Sequence, residues 1–265
     1  MLSNEGERTL ISAIIPPYAE HINGLVGIDF KDNRLLLYCS GLFSSIVGDF
    51  YIKIGQKSNV NMDCLAGLPI CVESKYAEAI ILRALLLNMV NDQYKNLYES
   101  VYNVDFIKDA WAKIDNRLSN RVFENLSATW SSDYIVRNEY ARRELLVELD
   151  VLCAMLIGMD LDELVLIYRM QFAVLNQYEE DTWYDTSGKI VFTSNRSLSG
   201  IGLDRGEWDK VKNDKEGEIS YSYSGEFMYD EDRKLARKCF APYDKCNRIK
   251  DYQEVWKTFE KRYEE

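Results

Sequence analysis

One amphipathic stretch near the amino terminus constrains the fold more than any other part of the chain. Between Leu35 and Ile54, apolar residues recur at steps of three and four, the spacing of one face of an α-helix. Serines, Asp49 and Lys53 occupy the opposite side. A polar break follows, and a short apolar segment then ends at Leu68-Pro69-Ile70. This order predicts a core helix, a polar loop and an edge strand.

The composition is that of a globular protein. Of 265 residues, 47% are apolar, and only 4 are proline and 14 glycine, which favours one or two domains with a real core. Six cysteines lie mostly within apolar runs, and we find neither a signal peptide nor an apolar run of membrane-spanning length. We therefore expect a reduced, cytoplasmic protein with no membrane partner.

The cysteine spacing argues against a metal site. Cys64 and Cys71 are seven positions apart, as are Cys239 and Cys246, whereas the first gap of a zinc site is usually about two to four residues. His21 is the single histidine. We predict no metal ligands, and a serine or cysteine nucleophile would lack a good histidine partner.

The other segments predict an α+β fold. Residues 7–15 and 25–30 have strand patterns, and Pro16 ends the first of them. A β-hairpin is predicted around Asp185-Thr186-Ser187-Gly188. We expect a small mixed or antiparallel sheet, then a helical bundle, then a C-terminal β-hairpin region. The helical patterns cover residues 76–98, 139–157, 161–177 and 251–263.

Local signals mark the boundary between two of these helices. Gly158 is predicted to end one helix in a left-handed conformation. Asp160 and Glu163 have the spacing of a capping box for the next helix. Helix capping therefore accounts for these acids, together with Asp162, without a metal ion.

The order of the segments resembles that of a known family. ERTLISAIIPP, the amphipathic helix with its asparagine-containing loop and LP-I, and LLVELDVLCAMLIGMDLDELVLIYRMQF occur in this order. YEEDTWYDTSGKIVFTS, a Gly-Ile-Gly-Leu turn and CFAPYDKCNRIKDYQEVWKTFE follow. The whole series resembles the C-terminal target-recognition region of large class I S-adenosylmethionine-dependent N6-adenine DNA methyltransferases, of restriction-modification or phage-defence type. The resemblance covers nearly the whole chain.

The resemblance implies DNA recognition without chemistry in this chain. In that family such a region reads DNA, while a separate domain transfers a methyl group from S-adenosylmethionine to adenine N6. The family's cofactor strand with its Gly-rich turn and its Asn/Asp-Pro-Pro-aromatic loop are absent from these 265 residues. At Pro16-Pro17-Tyr18 the preceding residue is Ile15, which cannot accept a hydrogen bond from a flipped adenine. We predict no catalytic or cofactor-binding residues here, and S-adenosylmethionine is implied only for a catalytic half.

DNA contact is predicted for two groups of residues. Lys and Arg neutralise phosphates, whereas Asn, Gln and Arg read base edges. The loop after the amphipathic helix supplies Lys53, Gln56, Lys57, Ser58, Asn59 and Asn61. A second phosphate-facing patch is predicted from Arg137, Arg142 and Arg143, diluted by Glu139 and Glu144.

With the resemblance, the chain divides into three regions. Residues 1–73 are the target-recognition strand and helix segment, 74–178 a helical region, and 179–265 the β-hairpin, polar loops and C-terminal helix. The expected partners are double-stranded DNA and a methyltransferase catalytic domain or subunit. Whether such a fragment counts as an enzyme depends on that catalytic half.

A net charge of −11 leaves other interpretations open. Affinity for a duplex comes largely from Lys and Arg, and residues 207–233 hold nine carboxylates against four basic groups. Residues 34–57 hold three basic groups and only Asp49. The alternative is an acidic protein-interaction or DNA-mimic module of a defence system. A nuclease would depend on Asp232 and Lys234, which lie outside any strand pattern.

Overall fold

A computed structural model describes residues 6–21, 24–55, 60, 65, 67–68, 70–198, 200–223 and 235–264. Helices dominate the first 180 residues, and strands occur only after them in the described part. The helices are α1 Asn33–Ser44, α2 Ile46–Ile54, α3 Ala77–Asn88, α4 Lys95–Val101, α5 Arg121–Glu124, α6 Glu139–Leu156, α7 Leu161–Gln171, α8 Ala173–Glu180, α9 Arg205–Val211 and α10 Arg248–Arg262. The strands are β1 Trp183–Tyr184, β2 Ile190–Phe192, β3 Glu218–Tyr223, β4 Leu235–Phe240 and β5 Asp244–Lys245.

Helix α6 is the centre of the helical bundle. It packs against α1, α2, α3, α7 and α10, and its apolar side includes Leu149, which is fully buried. Gly41 allows α1 to approach closely, because a Cβ atom there would lie 2.6 Å from Ile80 and 3.3 Å from Leu149. The main core extends along the chain from Leu10 to Phe259.

The predicted amphipathic helix is broken at Ser45. Ser45 is extended, and its hydroxyl accepts a hydrogen bond from the Gly48 N–H as the N-cap of α2. The Asp150 carboxylate of α6 accepts another from the Ile46 N–H at 2.7 Å. Among the described residues, no single helix has both the length and the apolar character to cross a membrane. Helices α1 and α2 reach that length and apolar character only when they are taken together, and the pair is bent by 71°.

The strands predicted at 7–15 and 25–30 do not form, because no neighbouring strand lies beside them in the described structure. Residues 6–15 lie instead as an extended segment across α1, α2 and α3. Asp49 accepts hydrogen bonds from the Thr9 and Leu10 N–H groups, and Asn88 accepts one from the Ile14 N–H. Leu68 and Ile70, the described residues at the end of the predicted edge strand, are not in a strand either.

Two antiparallel sheets follow the bundle, and the α+β class is confirmed. Strand β1 pairs with β2 and β5, and β3 pairs with β4. The predicted hairpin forms because the Asp185 carboxylate accepts from the N–H groups of Ser187 and Lys189. Trp208 of α9 stacks on Phe192 of β2, which gives this part a small core of its own.

The capping signals are confirmed, whereas two predicted helices are divided. Asp160 and Glu163 form the complete capping box of α7, and Gly158 has a φ of +73°. The helix predicted at 161–177 is interrupted at Phe172, between α7 and α8. That predicted at 76–98 ends at Asn88, and α4 begins beyond a single turn of 3-10 helix.

Candidate nucleic-acid interface

Lys53 lies where the ends of α2 and α7 meet. Its ammonium group donates a hydrogen bond to the Gln171 carbonyl at 2.6 Å and lies 4.7 Å from the centre of the Phe172 ring. A cation is favourable there because helix C-termini carry unsatisfied carbonyl groups and a negative partial charge. We call these residues, together with Arg169 in the last turn of α7, the α2–α7 corner.

Charge is separated along both helices of the corner. Helix α7 has Asp162 and Glu163 in its first turn and Arg169 in its last, and α2 has Asp49 first and Lys53 last. Asp49 is fully buried, whereas Arg169 is exposed. The α2–α7 corner thus brings a half-buried lysine and an exposed arginine to adjoining helix ends.

The loop predicted to read DNA begins directly after this corner. Gly55 caps α2, and Val60 is half-buried against the main core. Lys53 is therefore the one predicted contact of this loop whose surroundings are described. Gln56, Lys57, Ser58, Asn59 and Asn61 lie outside the described residues.

The second predicted group does not form a single patch of available cations. Arg137 is exposed, and its guanidinium lies 3.5 Å from the Ser132 carbonyl. Arg142 is half-buried and donates to the carbonyls of Val136 and Leu87, which ties the start of α6 to the end of α3. Burial lowers the pKa of Arg142.

Arg143 corrects the sequence interpretation, because it is buried and faces carboxylates. Its guanidinium bonds Glu179 at 2.9 Å, lies 2.7 Å from Asp251 and lies 3.2 Å from Glu144. Burial alone would lower its pKa, but these carboxylates raise it well above the usual value. A side chain that is 7% exposed and held by three carboxylates is not available to a DNA phosphate.

Arg143 belongs to a larger group of buried ionisable side chains where α6, α8 and α10 meet. Arg248 lies 3.2 Å from Glu179 and 2.7 Å from Asp150, and Lys113 bonds Asp251 at 2.5 Å. We define this group as the α6–α10 charge cluster. Its members are Lys113, Glu144, Asp150, Glu179, Asp251, Arg143 and Arg248.

Ion pairing favours the ionised form of Glu179. Burial opposes the ionisation of Glu179, but Arg143 and Arg248 outweigh burial and lower its pKa to about 2. Asp150 also accepts hydrogen bonds from the Tyr252 hydroxyl and the Ile46 N–H, both at 2.7 Å. These contacts join α6 to α2, α8 and α10, so the cluster fixes the positions of helices.

Sequence reasoning missed this cluster and the neighbouring pair of Arg83 and Glu148, although two signals point to buried ion pairs. Glu144 and Glu148 are four positions apart on a helix face that is otherwise apolar, and Arg83 interrupts the run AIILRALLL. Charged residues within apolar periodicity indicate buried ion pairs, because lone buried charges are costly. Arg83 indeed pairs with Glu148 at 2.6 Å and with Asp109 at 2.7 Å.

The Pro16-Pro17-Tyr18 segment forms a surface turn, closed by a hydrogen bond from the Ala19 N–H to the Pro16 carbonyl. Tyr18 has a φ of +67° and projects fully into solvent. Ile15 before it is half exposed and offers no side-chain acceptor.

The described residues contain no group of three or more His, Cys, Asp or Glu side chains placed to hold a metal ion. A surface cleft lies between α9 and β3, and its lining includes Asp204, Glu207 and Lys210. Two carboxylates against one lysine make it a poor phosphate site.

No protein-family model, curated protein or solved structure matches the chain.

Proposed function

We propose that this chain is the target-recognition part of an adenine-specific DNA methyltransferase of a restriction-modification or phage-defence system. It would bind double-stranded DNA in the cytoplasm, with a catalytic domain or subunit that binds S-adenosylmethionine and carries out the methyl transfer. The order of segments described above supports this proposal. The chain itself supplies a surface for binding DNA and no methyl-transfer chemistry.

The α2–α7 corner is the structural observation that carries the proposal. Lys53 and Arg169 lie at adjoining helix ends on the surface, and the chain continues from there into a segment with a lysine, a glutamine and two asparagines. Lysine supplies phosphate contacts, and amide side chains read the edges of adenine. This is the composition expected of a loop that both positions and reads DNA.

The net charge of −11 weighs less against DNA binding than it first suggests. Among the described residues, six carboxyl side chains are buried against three guanidinium groups, so part of the formal negative charge is not displayed on the surface. The buried acids are Asp49, Glu144, Glu148, Asp150, Asp185 and Asp251. Salt reduces the effect of the remaining surface charge beyond a Debye length of about 10 Å.

Binding to duplex DNA at increasing salt tests the proposal. Gel shifts with a mixed-sequence duplex, with the catalytic half present and absent, should show binding that weakens steeply as salt rises, because phosphate contacts release counterions. Lys57→Glu should weaken binding, whereas Lys215→Glu, an exposed lysine before β3, should not. Absence of binding at low salt under both conditions would refute the proposal.

An acidic protein-interaction or DNA-mimic module is the second candidate, and the nine carboxylates within residues 207–233 favour it. Such a module should bind a basic partner protein and not the duplex. Competition distinguishes the two: a DNA mimic would displace DNA from a DNA-binding partner of the same system, whereas a recognition module would bind the DNA itself.

A further inference from the structure

The α6–α10 charge cluster contains more acids than bases. Its seven side chains are each at most 14% exposed, and they comprise four carboxyl groups and three cations. The neighbouring group of Arg83, Arg262, Asp109 and Glu148 is balanced and supplies no further positive charge. Full ionisation would therefore leave one uncompensated negative charge in the interior. A carboxyl group in that situation retains its proton.

The contacts identify which carboxyl group this is. Asp150, Glu179 and Asp251 each have two or more hydrogen-bonding or cationic partners. Glu144 has one ion pair, to Arg143 at 3.2 Å, and its Oε1 atom is buried without a hydrogen bond or a cation beside it. The Oδ2 atom of Asp251 also lacks a hydrogen bond, but it lies 2.7 Å from the Arg143 guanidinium. The Glu144 side chain is fully buried.

The groups that face Glu144 come from three parts of the chain. Arg143 and Glu148 lie on its own helix, Lys113 on the loop before α5, and Asp251 on α10. Two weaker acids, Tyr140 and Cys246, are also close enough to interact electrostatically with Glu144. Burial, more than any of these neighbours, raises the pKa of Glu144 to about 8.

We propose that the α6–α10 charge cluster holds one proton on Glu144 at neutral pH, and that loss of this proton loosens α10 from the bundle. Lys113 and Arg143 hold α10 through Asp251. An ionised Glu144 competes with Asp251 for these same two cations. The packing of the C-terminal helix α10 on the rest of the fold therefore depends on pH through this cluster.

The sign of the pH dependence follows from the direction of this shift. The folded protein keeps the proton up to about pH 8, whereas the unfolded chain releases it near the ordinary value of 4.5. Between these values the folded state binds more protons, so stability falls as pH rises. Near neutral pH, this group alone raises the unfolding equilibrium constant by about tenfold per pH unit.

Urea unfolding of Glu144→Gln at a series of pH values tests the proposal. Glutamine keeps the shape but carries no titrating proton. Between about pH 6 and about pH 8, the variant should therefore lack the tenfold rise in the unfolding equilibrium constant per pH unit that Glu144 contributes in the wild type. Glu254→Gln, an exposed change on α10, should follow the wild type. Parallel pH profiles for wild type and Glu144→Gln would overturn the proposal.

Infrared spectroscopy tests the proton directly, even if the variant folds poorly. The wild-type protein at neutral pH should show the carbonyl band of a protonated carboxylic acid, which disappears at alkaline pH. Amide hydrogen exchange in α10, corrected for the intrinsic pH effect, should accelerate over the same range while exchange in α1 does not. Absence of the band at neutral pH, or unchanged exchange in α10, would contradict the proposal.

Discussion

Asp49 lies inside helix α2, and its carboxylate accepts a hydrogen bond from the main-chain N–H of Leu10 at 3.1 Å. The same carboxylate accepts from the Thr9 N–H at 3.0 Å. Asp49 is fully buried, so this side chain substitutes for the neighbouring strand that an extended segment normally requires. The interaction fixes the amino-terminal segment against the helix that leads to the α2–α7 corner.

Replacing Asp49 by alanine should therefore destabilise the protein. Two buried N–H groups would lose a charged acceptor, and we expect a loss of about 3 kcal/mol in the free energy of unfolding. Urea denaturation measures the change. Asp29→Ala, at an exposed loop position, is the control and should stay within about 0.5 kcal/mol of the wild type. Equal losses in the two variants would show that Asp49 does not anchor the segment.

Breaking the buried pair of Arg83 and Glu148 should have a larger effect. Both side chains are 0% exposed, so Arg83→Met leaves a buried carboxylate without its partner, at a cost of about 3–5 kcal/mol. Adding Glu148→Gln removes the stranded charge and should restore part of the stability. A double-mutant cycle measures this coupling, and additive losses would contradict the pairing.

Acid should destabilise the protein through Glu179. Burial opposes its ionisation, but Arg143 and Arg248 lower its pKa in the folded state to about 2, from an ordinary 4.5. The unfolded chain therefore takes up a proton first, and up to about 3 kcal/mol of stability present above pH 4.5 is lost as pH falls towards 2. Glu179→Gln should be less stable at neutral pH and should lose less on acidification. If the melting temperatures of wild type and Glu179→Gln fell equally on acidification, this assignment would be refuted.

The elements that sequence analysis predicted correctly depend on local signals. The capping box of Asp160 and Glu163 and the Asp185 turn each complete their hydrogen bonds within a few residues. The break at Ser45 was missed because the Asp150 carboxylate that binds the Ile46 N–H comes from 104 residues later. The prediction of amino-terminal strands was wrong for the same reason. The apolar pattern of this segment does not reveal that its main-chain N–H groups bond the distant side chains of Asp49 and Asn88.

The predicted DNA contacts also depend on interactions that are distant in sequence. A sequence displays Arg143 as a cation beside Glu144 but not the carboxylates of Glu179 and Asp251 that reach it from other helices. Its assignment to a DNA contact therefore fails on tertiary structure. Lys53 differs, because its partner is the Gln171 carbonyl and not a carboxylate, so its assignment to a DNA contact stays a prediction.

Arg169 at the α2–α7 corner should contribute a phosphate contact. Arg169→Met should reduce the slope of log affinity against log salt by about 1 and weaken binding to all duplex sequences alike, because phosphate contacts carry no sequence information. Arg121→Met, another exposed arginine on the short helix α5, is the matched control. A loss of affinity that depends on the duplex sequence, or an equal change in Arg121→Met, would show that Arg169 does not contact a phosphate.

Photochemical cross-linking of the protein to a duplex that contains its recognised site, followed by mass spectrometry, tests DNA recognition most directly. The catalytic half should be present, so that the protein binds as it would act. We predict cross-links concentrated between Lys53 and Asn61, with none in residues 207–223. Cross-links confined to other surfaces, or their absence while the protein captures a basic partner, would contradict a role in DNA recognition.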